Sequence, residues 1–198
     1  ALEAGPAAGV LAAATIGSAS ELVNLLSLDM GGTTAKAALI EGGKIPYSAE
    51  YEVGATLSAG NRLTGGGGEV VLAPSIDIAE VGAGGGSIAW LDIVGGLRVG
   101  PQSAGALPGP ACYGRGGREP TVTDANVALG YVKSGPLGGG DIVIDADTAY
   151  SSIKENIAKP LNIEPVAAAH GIHHIANAQM LRALREVSVH RGRDPRDF

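Results

Sequence analysis

Leu25-Leu26-Ser27-Leu28-Asp29-Met30-Gly31-Gly32-Thr33-Thr34-Ala35-Lys36-Ala37-Ala38-Leu39-Ile40 is the stretch from which the rest of the chain is read. An apolar run ends at Asp29, a Gly31-Gly32 turn brings two hydroxyls, Thr33 and Thr34, and a second apolar run leaves. Short apolar runs bounded by glycine predict two strands, Leu22 to Leu28 and Ala35 to Ile40, joined as a hairpin. Glycines let the backbone turn sharply and approach a ligand closely. Successive backbone N–H groups in such a turn form an anion-binding concavity. Threonine hydroxyls donate to phosphate oxygens, and a carboxylate at Asp29 suits a hydrated Mg²⁺. An ordinary hairpin tip would have the same composition, so the residues alone leave both readings open.

Working outward, Glu41-Gly42-Gly43-Lys44 predicts a second turn and Ile45 to Val53 a third strand, with Pro46 placing it at an edge or a strand start. That up-down-up order would extend the hairpin into a sheet. Upstream, Pro6 to Gly17 reads as a helix, since proline suits a first turn and alanine is a strong helix former. Gly54 to Pro74, with Gly65-Gly66-Gly67-Gly68, reads as a mobile loop or strand connection. No Lys-Thr or Lys-Ser follows those glycines to complete a P-loop. Val81-Gly82-Ala83-Gly84-Gly85-Gly86-Ser87 is a poor dinucleotide fingerprint, because its spacing is wrong and no helix follows. Ser87 to Asp92 and Leu97 to Val99 predict a hairpin around Val94-Gly95-Gly96, and Pro101 to Pro120 predicts loop.

Thr123 is expected to cap a short helix, with Asp124 suited to its N-terminal end. Gly135 to Gly140 reads as a linker-like turn. A helix from Asp145 to Lys159 is expected to stop at Pro160. A longer one starts near Pro165, with an apolar stripe of Ile172, Ile175, Ala176, Met180, Leu184 and Val187, and stops at Gly192. His170, His173 and His174 have helical spacing, but no acidic or cysteine ligand accompanies them, so core or surface roles are favoured over a metal. Arg182, Arg185, Arg191 and Arg193 suit the helix's C-terminal end better than an anion patch. Glu80 reads as a solvated carboxylate rather than a base. Cys112 reads as a small buried residue, with no histidine nearby in sequence to activate it.

Composition narrows the class. Hydrophobic residues make up 45% of 198, enough for a globular core, in one domain or two lobes. A net charge of −6 argues against a nucleic-acid partner. The single cysteine precludes an internal disulfide and fits a reducing, cytoplasmic setting. No apolar run has membrane-spanning length, and the alanine-rich start lacks a basic leader.

Several blocks together resemble one family. Asp29-Met30-Gly31-Gly32-Thr33-Thr34 is similar to the second phosphate motif of the sugar kinase, chaperone ATPase and actin superfamily. Gly82 to Ala89, Gly100 to Ala106, Pro108-Gly109-Pro110-Ala111-Cys112-Tyr113-Gly114 and Pro120-Thr121-Val122-Thr123-Asp124-Ala125-Asn126 follow. In that order they resemble the hydantoinase A / 5-oxoprolinase family of ATP-dependent lactam hydrolases, across nearly the whole chain. The resemblance implies an α/β fold, an actin-like (ribonuclease H-like) ATPase lobe with a mixed sheet and packed helices. It implies one partial domain: 1–20 a connecting helix, 21–132 the phosphate hairpin and glycine-rich motifs, 141–198 a helical part.

The same resemblance implies ATP and Mg²⁺ as cofactors. Gly31, Gly32, Thr33 and Thr34 would grip phosphate, with Asp29 on the metal. Gly84, Gly85, Gly86 and Ser87 would border the nucleotide, and Asp124 and Asn126 would contact substrate or metal. It further implies a small cyclic amide as substrate and a B-type hydantoinase subunit or domain as partner, with no nucleic acid or membrane, and leaves homo-oligomer formation open. Two departures stand out. Ala4 replaces a serine, and Ala35-Lys36 stand where many relatives carry Thr-Asp. Relatives also carry a first phosphate motif upstream and an adenosine motif downstream that this sequence lacks, so the chain alone is expected to be inactive. A non-catalytic nucleotide- or partner-binding module and a carboxylase subunit of the same family are the alternatives. A kinase of the superfamily would lack the Gly-Pro-Ala-Cys-Tyr-Gly block.

Overall fold

The computed structural model describes residues 4–53, 57–58 and 69–198. By their contacts these form two compact units: residues 1–30, 35–81 and 179–198, and residues 31–34 with 82–178.

In the first unit, helix α1 (Ala4–Ala19) precedes strands β1 (Leu25–Met30) and β2 (Ala35–Ile40). The hairpin is in register from Leu25 opposite Ile40 to Met30 opposite Ala35. Side chains alternate across a strand, so Leu25, Ala38 and Ile40 share one face. That face packs with Val10, Ala13 and Ala14 of α1 into one apolar cluster. Gly17 is required for this approach, since a Cβ there would lie 2.9 Å from the Leu22 carbonyl oxygen.

The expected third strand does not extend the hairpin. Strand β3 (Tyr47–Val53) pairs instead with β5 (Glu69–Ile76), with an irregularity between Ser48 and Glu50. The short β4 (Leu57–Ser58) and β6 (Ala79–Val81) complete the hairpin's sheet, in the order β1-β2-β6-β4. Part of the predicted loop from Gly54 to Pro74 is therefore strand, because Glu69 to Leu72 finds partners in β3. Gly65 to Gly68 lie outside the described residues. Every strand pair described is antiparallel, so the mixed sheet expected is not seen among them.

In the second unit, β7 (Ser87–Leu91) and β8 (Leu97–Ser103) form the predicted hairpin. Asp92 shapes its turn. One carboxylate oxygen accepts from the amides of Val94 (3.1 Å) and Gly96 (2.7 Å), the other from Arg98 Nε at 2.8 Å. The Gly96 amide first, then Arg98, holds this carboxyl below the usual aspartate range. Helix α2 (Val122–Ala128) follows, then β9 (Gly135–Leu137) and β10 (Ile142–Ile144), a small hairpin where a linker was expected.

Helix α3 (Ala146–Ile153) runs through a π-helical turn, Lys154–Ala158, into α4 (Lys159–Leu161). Pro160 thus does not stop the helix. The Lys159 amide steps back to the Lys154 carbonyl, a wider turn next to the proline, which has no N–H to donate. The stop comes at Asn162, left-handed at φ 53°, where the Ile163 amide reaches Ala158 in a Schellman arrangement.

Helix α5 (Pro165–Val187) contributes residues to both units. Its expected stripe is largely inside, with Ile172, Ala176 and Val187 buried. Ala89, Val99, Val122, Ala125, Ile153, Ile157, Ala168 and Ile172 join in the second unit's main core. The helix stops at Val187, short of the expected Gly192, which instead ends a separate 3-10 turn, Val189–Arg191, in a left-handed conformation.

Candidate functional site

The tip of the first hairpin, Gly31 to Thr34, belongs to the second unit. It is closed by the Gly31 N–H donating to the Thr34 carbonyl at 2.9 Å. Gly31, Gly32 and Thr33 are exposed. The N–H groups of Gly32 and Thr33 and the Thr33 hydroxyl make no hydrogen bond among the described residues. Two consecutive free amides beside a hydroxyl form a small, rigid set of donors suited to an anion.

Rigidity comes from the glycine turn beneath. Gly85 N–H donates to the Gly31 carbonyl at 2.9 Å and Gly86 N–H to the Gly32 carbonyl at 2.6 Å. The contact is so close that only glycine fits. A Cβ on Gly84 would lie 2.7 Å from backbone atoms of Gly32 and Thr33. One on Gly86 would lie 2.9 Å from the Gly32 carbonyl oxygen and from Ser103 Oγ. The turn also closes on itself, with Gly84 N–H donating to Ser87 Oγ at 2.9 Å and Ser87 N–H to the Gly84 carbonyl at 3.1 Å.

All four amides of Gly84 to Ser87 are therefore committed inside the protein. They are not open donors for the nucleotide that this loop is expected to border. The structure places Gly84, Gly85, Gly86 and Ser87 as the bed under the tip, and leaves Gly32 and Thr33 as the open donors.

Helix α2 braces the same bed. Its N-cap is Thr121, not Thr123 as expected. The Thr121 side chain accepts from the Asp124 amide, and the Asp124 carboxylate accepts from the Thr121 amide, a reciprocal capping box. The signal was the Thr-x-x-Asp spacing, which points to the first threonine.

Asp124 is fully buried. Besides Thr121 N–H and Oγ1, both at 2.8 Å, it accepts from the amides of Ala111 (3.2 Å) and Cys112 (2.8 Å). With that many donors on two oxygens, its geometry is that of an internal clasp on the Pro110–Cys112 turn rather than a ligand contact. Cys112 is buried beside it. Burial first, then the Asp124 charge, pushes its thiol pKa far above the usual range, so it holds its proton, in keeping with the structural reading.

Asn126 sits on the other side of α2. Its Oδ1 lies 3.0 Å from His173 Nδ1, while His173 Nε2 lies 2.8 Å from Asn177 Nδ2. Both ring nitrogens of His173 are thus occupied, and the Tyr131 ring stands 5.1 Å away. Among the described residues no group of His, Cys, Asp or Glu could hold a metal as a cluster, and this includes His170, His173 and His174.

In the first unit, Asp29 is exposed on β1 and its carboxylate makes no hydrogen bond or ion pair among the described residues. A Cβ on Gly9 of α1 would come 3.6 Å from its carboxylate. Its cross-strand neighbour Lys36 pairs with Glu80 at 3.1 Å, and both are mostly covered. Glu80 is thus an ion-pair member rather than a freely solvated group. A single open carboxylate fits Mg²⁺, which keeps much of its water and binds through one or two carboxylates plus phosphate oxygens.

Of the arginines expected to serve the helix end, Arg185 lies in the last turn of α5, whereas Arg191 and Arg193 do other work. Arg191 is held by both oxygens of Asp77, and Arg193 Nη2 reaches Glu41 at 2.8 Å. A cavity of about 330 Å³ beside them, floored by Leu39, Ile45 and Pro46, therefore has its guanidinium groups already matched by carboxylates.

All 198 residues match the hydantoinase/oxoprolinase family model, and the chain belongs to that family. It is 42% identical over 203 residues to the caprolactamase subunit alpha of Pseudomonas jessenii, covering 100% of this chain and 27% of that one. It is 36% identical over 201 residues to the acetophenone carboxylase gamma subunit of Aromatoleum aromaticum, covering 98% and 25%. Among solved structures it is similar to the ATP-dependent caprolactamase of Pseudomonas jessenii. The TM-score is 0.80 at 44% identity, over 98% of this chain and 26% of that one. The chain thus spans about a quarter of the length of these relatives. No helix among the described residues is long and apolar enough to cross a membrane.

Proposed function

We propose that this chain forms part of an ATP-dependent hydrolase of cyclic amides, and that it supplies a phosphate-gripping element of an actin-like ATPase lobe. The observation that carries this reading is the exposed tip, whose Gly32 and Thr33 amides point to no partner while the turn beneath holds the Gly31 and Gly32 carbonyls. In this reading Gly31, Gly32, Thr33 and Thr34 surround the phosphates of ATP, with the Gly32 and Thr33 amides and the Thr33 hydroxyl donating to their oxygens. Asp29, two residues before the tip in sequence, holds a hydrated Mg²⁺, which neutralises charge on the phosphate oxygens when bound. Gly84 to Ser87 support the tip, and Asp124 and Asn126 position loops rather than touch the reacting atoms.

The chemistry explains the coupling. A lactam carbonyl is a poor electrophile. Transfer of the terminal phosphoryl group to its oxygen, with ADP leaving, makes the carbon open to water. Water adds to that carbon and the ring C–N bond breaks, leaving a free amine and an acyl phosphate, which a second water hydrolyses to carboxylate and phosphate. The protein's part in phosphoryl transfer is positioning and charge stabilisation. The relative named as a subunit of a caprolactamase supports such a substrate and a partner subunit. The relative named as a carboxylase subunit favours a second reading, in which the phosphorylated intermediate serves carboxylation instead.

The test is ADP formation by the complete protein with its partner subunit, against 5-oxoproline, hydantoin and caprolactam. Lactam-dependent ADP release with ring opening supports the hydrolase. ADP release that requires bicarbonate and a ketone supports the carboxylase. MgATP binding without turnover on any of these would leave a binding module and overturn the hydrolase reading.

A further inference from the structure

Thr123 was expected to cap α2, yet it faces a different loop. Its backbone N–H and its hydroxyl both donate to the Gly85 carbonyl, each at 2.8 Å. That carbonyl shares a peptide group with the Gly86 N–H, which donates to the Gly32 carbonyl at 2.6 Å. The Gly32 carbonyl in turn shares a peptide group with the Thr33 N–H, one of the two open donors of the tip. The result is an unbroken line: Thr123 hydroxyl and amide, peptide 85–86, peptide 32–33, open N–H. Every member lies in the second unit.

Donation to a peptide carbonyl polarises the group and strengthens its own N–H as a donor, so hydrogen bonds in a chain reinforce one another. The geometry points to Thr123 as a positioning residue for phosphate. It would orient and polarise the Thr33 N–H through two peptide groups without touching the ligand. This rests on the reading that the tip grips phosphate. The double donation is what sets Thr123 apart, since two donors converge on one oxygen where closing a turn needs one. The close fit prevents substitution of the relay, because a Cβ on Gly85 would lie 2.9 Å from Thr123 Oγ1.

The test compares Thr123→Val and Thr123→Ser with the parent chain. Valine keeps the shape and the backbone N–H but loses the hydroxyl, while serine keeps the hydroxyl. Amide exchange at Gly86 and the proton shift of the Thr33 amide are read by NMR without ligand. MgATP affinity is read by calorimetry. In Thr123→Val, Gly86 exchange is expected to rise about tenfold, and MgATP affinity to fall several-fold with little change in melting temperature. Thr123→Ser is expected to match the parent in all three.

Unchanged Gly86 exchange and Thr33 shift in a folded Thr123→Val would overturn the assignment, as would unchanged affinity in a variant whose exchange has risen. If Thr123→Val does not fold, scalar coupling across the Gly86 N–H to Gly32 carbonyl bond in the parent decides, and its absence refutes the relay. A parent chain that fails to bind MgATP counts against the phosphate reading alone, because the exchange and shift data still judge Thr123 separately.

Discussion

Replacing Gly84 by alanine is the most direct challenge to the architecture of the site. The new Cβ would lie 2.7 Å from the Gly32 carbonyl carbon and from the Thr33 amide nitrogen and carbonyl carbon. None of these is the end of a flexible side chain, so the two loops must separate. Overpacking of this kind costs about 1–3 kcal/mol. Separation also removes the bonds from Gly85 to Gly31 and from Gly86 to Gly32, each worth about 0.5–1.5 kcal/mol. The sum is about 4 kcal/mol at its centre, which for a chain of this size lowers Tm by roughly 8–16 °C.

Trp90 is the only tryptophan in the chain, and it lies on β7 with its Nε1 donating to the Gly100 carbonyl at 2.9 Å. Its fluorescence therefore follows unfolding of the second unit. Gly32→Ala serves as the control, since a Cβ there meets nothing within 4 Å. It should leave Tm within about 2 °C of the parent while weakening MgATP binding, because the methyl group would occupy the open tip. A Gly84→Ala chain whose Trp90 transition stays within about 2 °C of the parent would refute the stacked-loop reasoning.

Other outcomes follow from single contacts. Cys112 should resist alkylating reagents at pH 8 until denaturant is added, and fast labelling of the folded chain would contradict its burial beside Asp124. Asp145 caps α3 by accepting from Thr148 Oγ1 at 2.6 Å and from the amides of Thr148 and Asp147, which lowers its pKa below the ordinary 3.8. A depressed folded-state value means that its contribution to stability is present above about pH 3.8 and is lost as pH falls through the lower folded midpoint. An NMR titration showing a midpoint above 3.8 would reverse that sign. Arg191→Met should destabilise the first unit by about 1–3 kcal/mol in urea unfolding, because it leaves the largely covered Asp77 carboxylate unpaired. Arg193→Ala, at a half-exposed pair with Glu41, should cost under about 1 kcal/mol, and equal losses would contradict the burial difference.

Much of the chain could be read locally. The hairpin from β1 to β2, the hairpin from β7 to β8, the start of α5 and its apolar stripe all appear as expected, because each depends on periodicity and nearby turn residues. Misreadings have both distant and local causes. Nothing local to Ile45–Val53 says that it pairs with Glu69–Ile76 rather than with β2. Nothing local to Pro160 reveals that a π turn will absorb it. The small hairpin of β9 and β10 was hidden by glycines that resemble a linker.

The candidate site divides along the same line. Sequence by itself raised Asp29, Gly31, Gly32, Thr33 and Thr34 as a candidate phosphate tip, because glycine freedom and hydroxyl chemistry are properties of the residues themselves, but the residues alone left an ordinary hairpin tip equally open. It also marked Gly84 to Ser87 and Thr121 to Asn126 as blocks of interest, and their motifs as those of the hydantoinase/oxoprolinase family. Only tertiary structure decided which of these groups remain open. Gly85 and Gly86 spend their amides on the tip's carbonyls, and Asp124 spends its carboxylate on buried amides. A hydrogen-bond donor is available to a ligand only if no part of the fold has already used it. For the tip that allocation is set by loops more than fifty residues apart in the chain, whose meeting no local pattern encodes, and for Asp124 by a turn that lies just upstream of its helix.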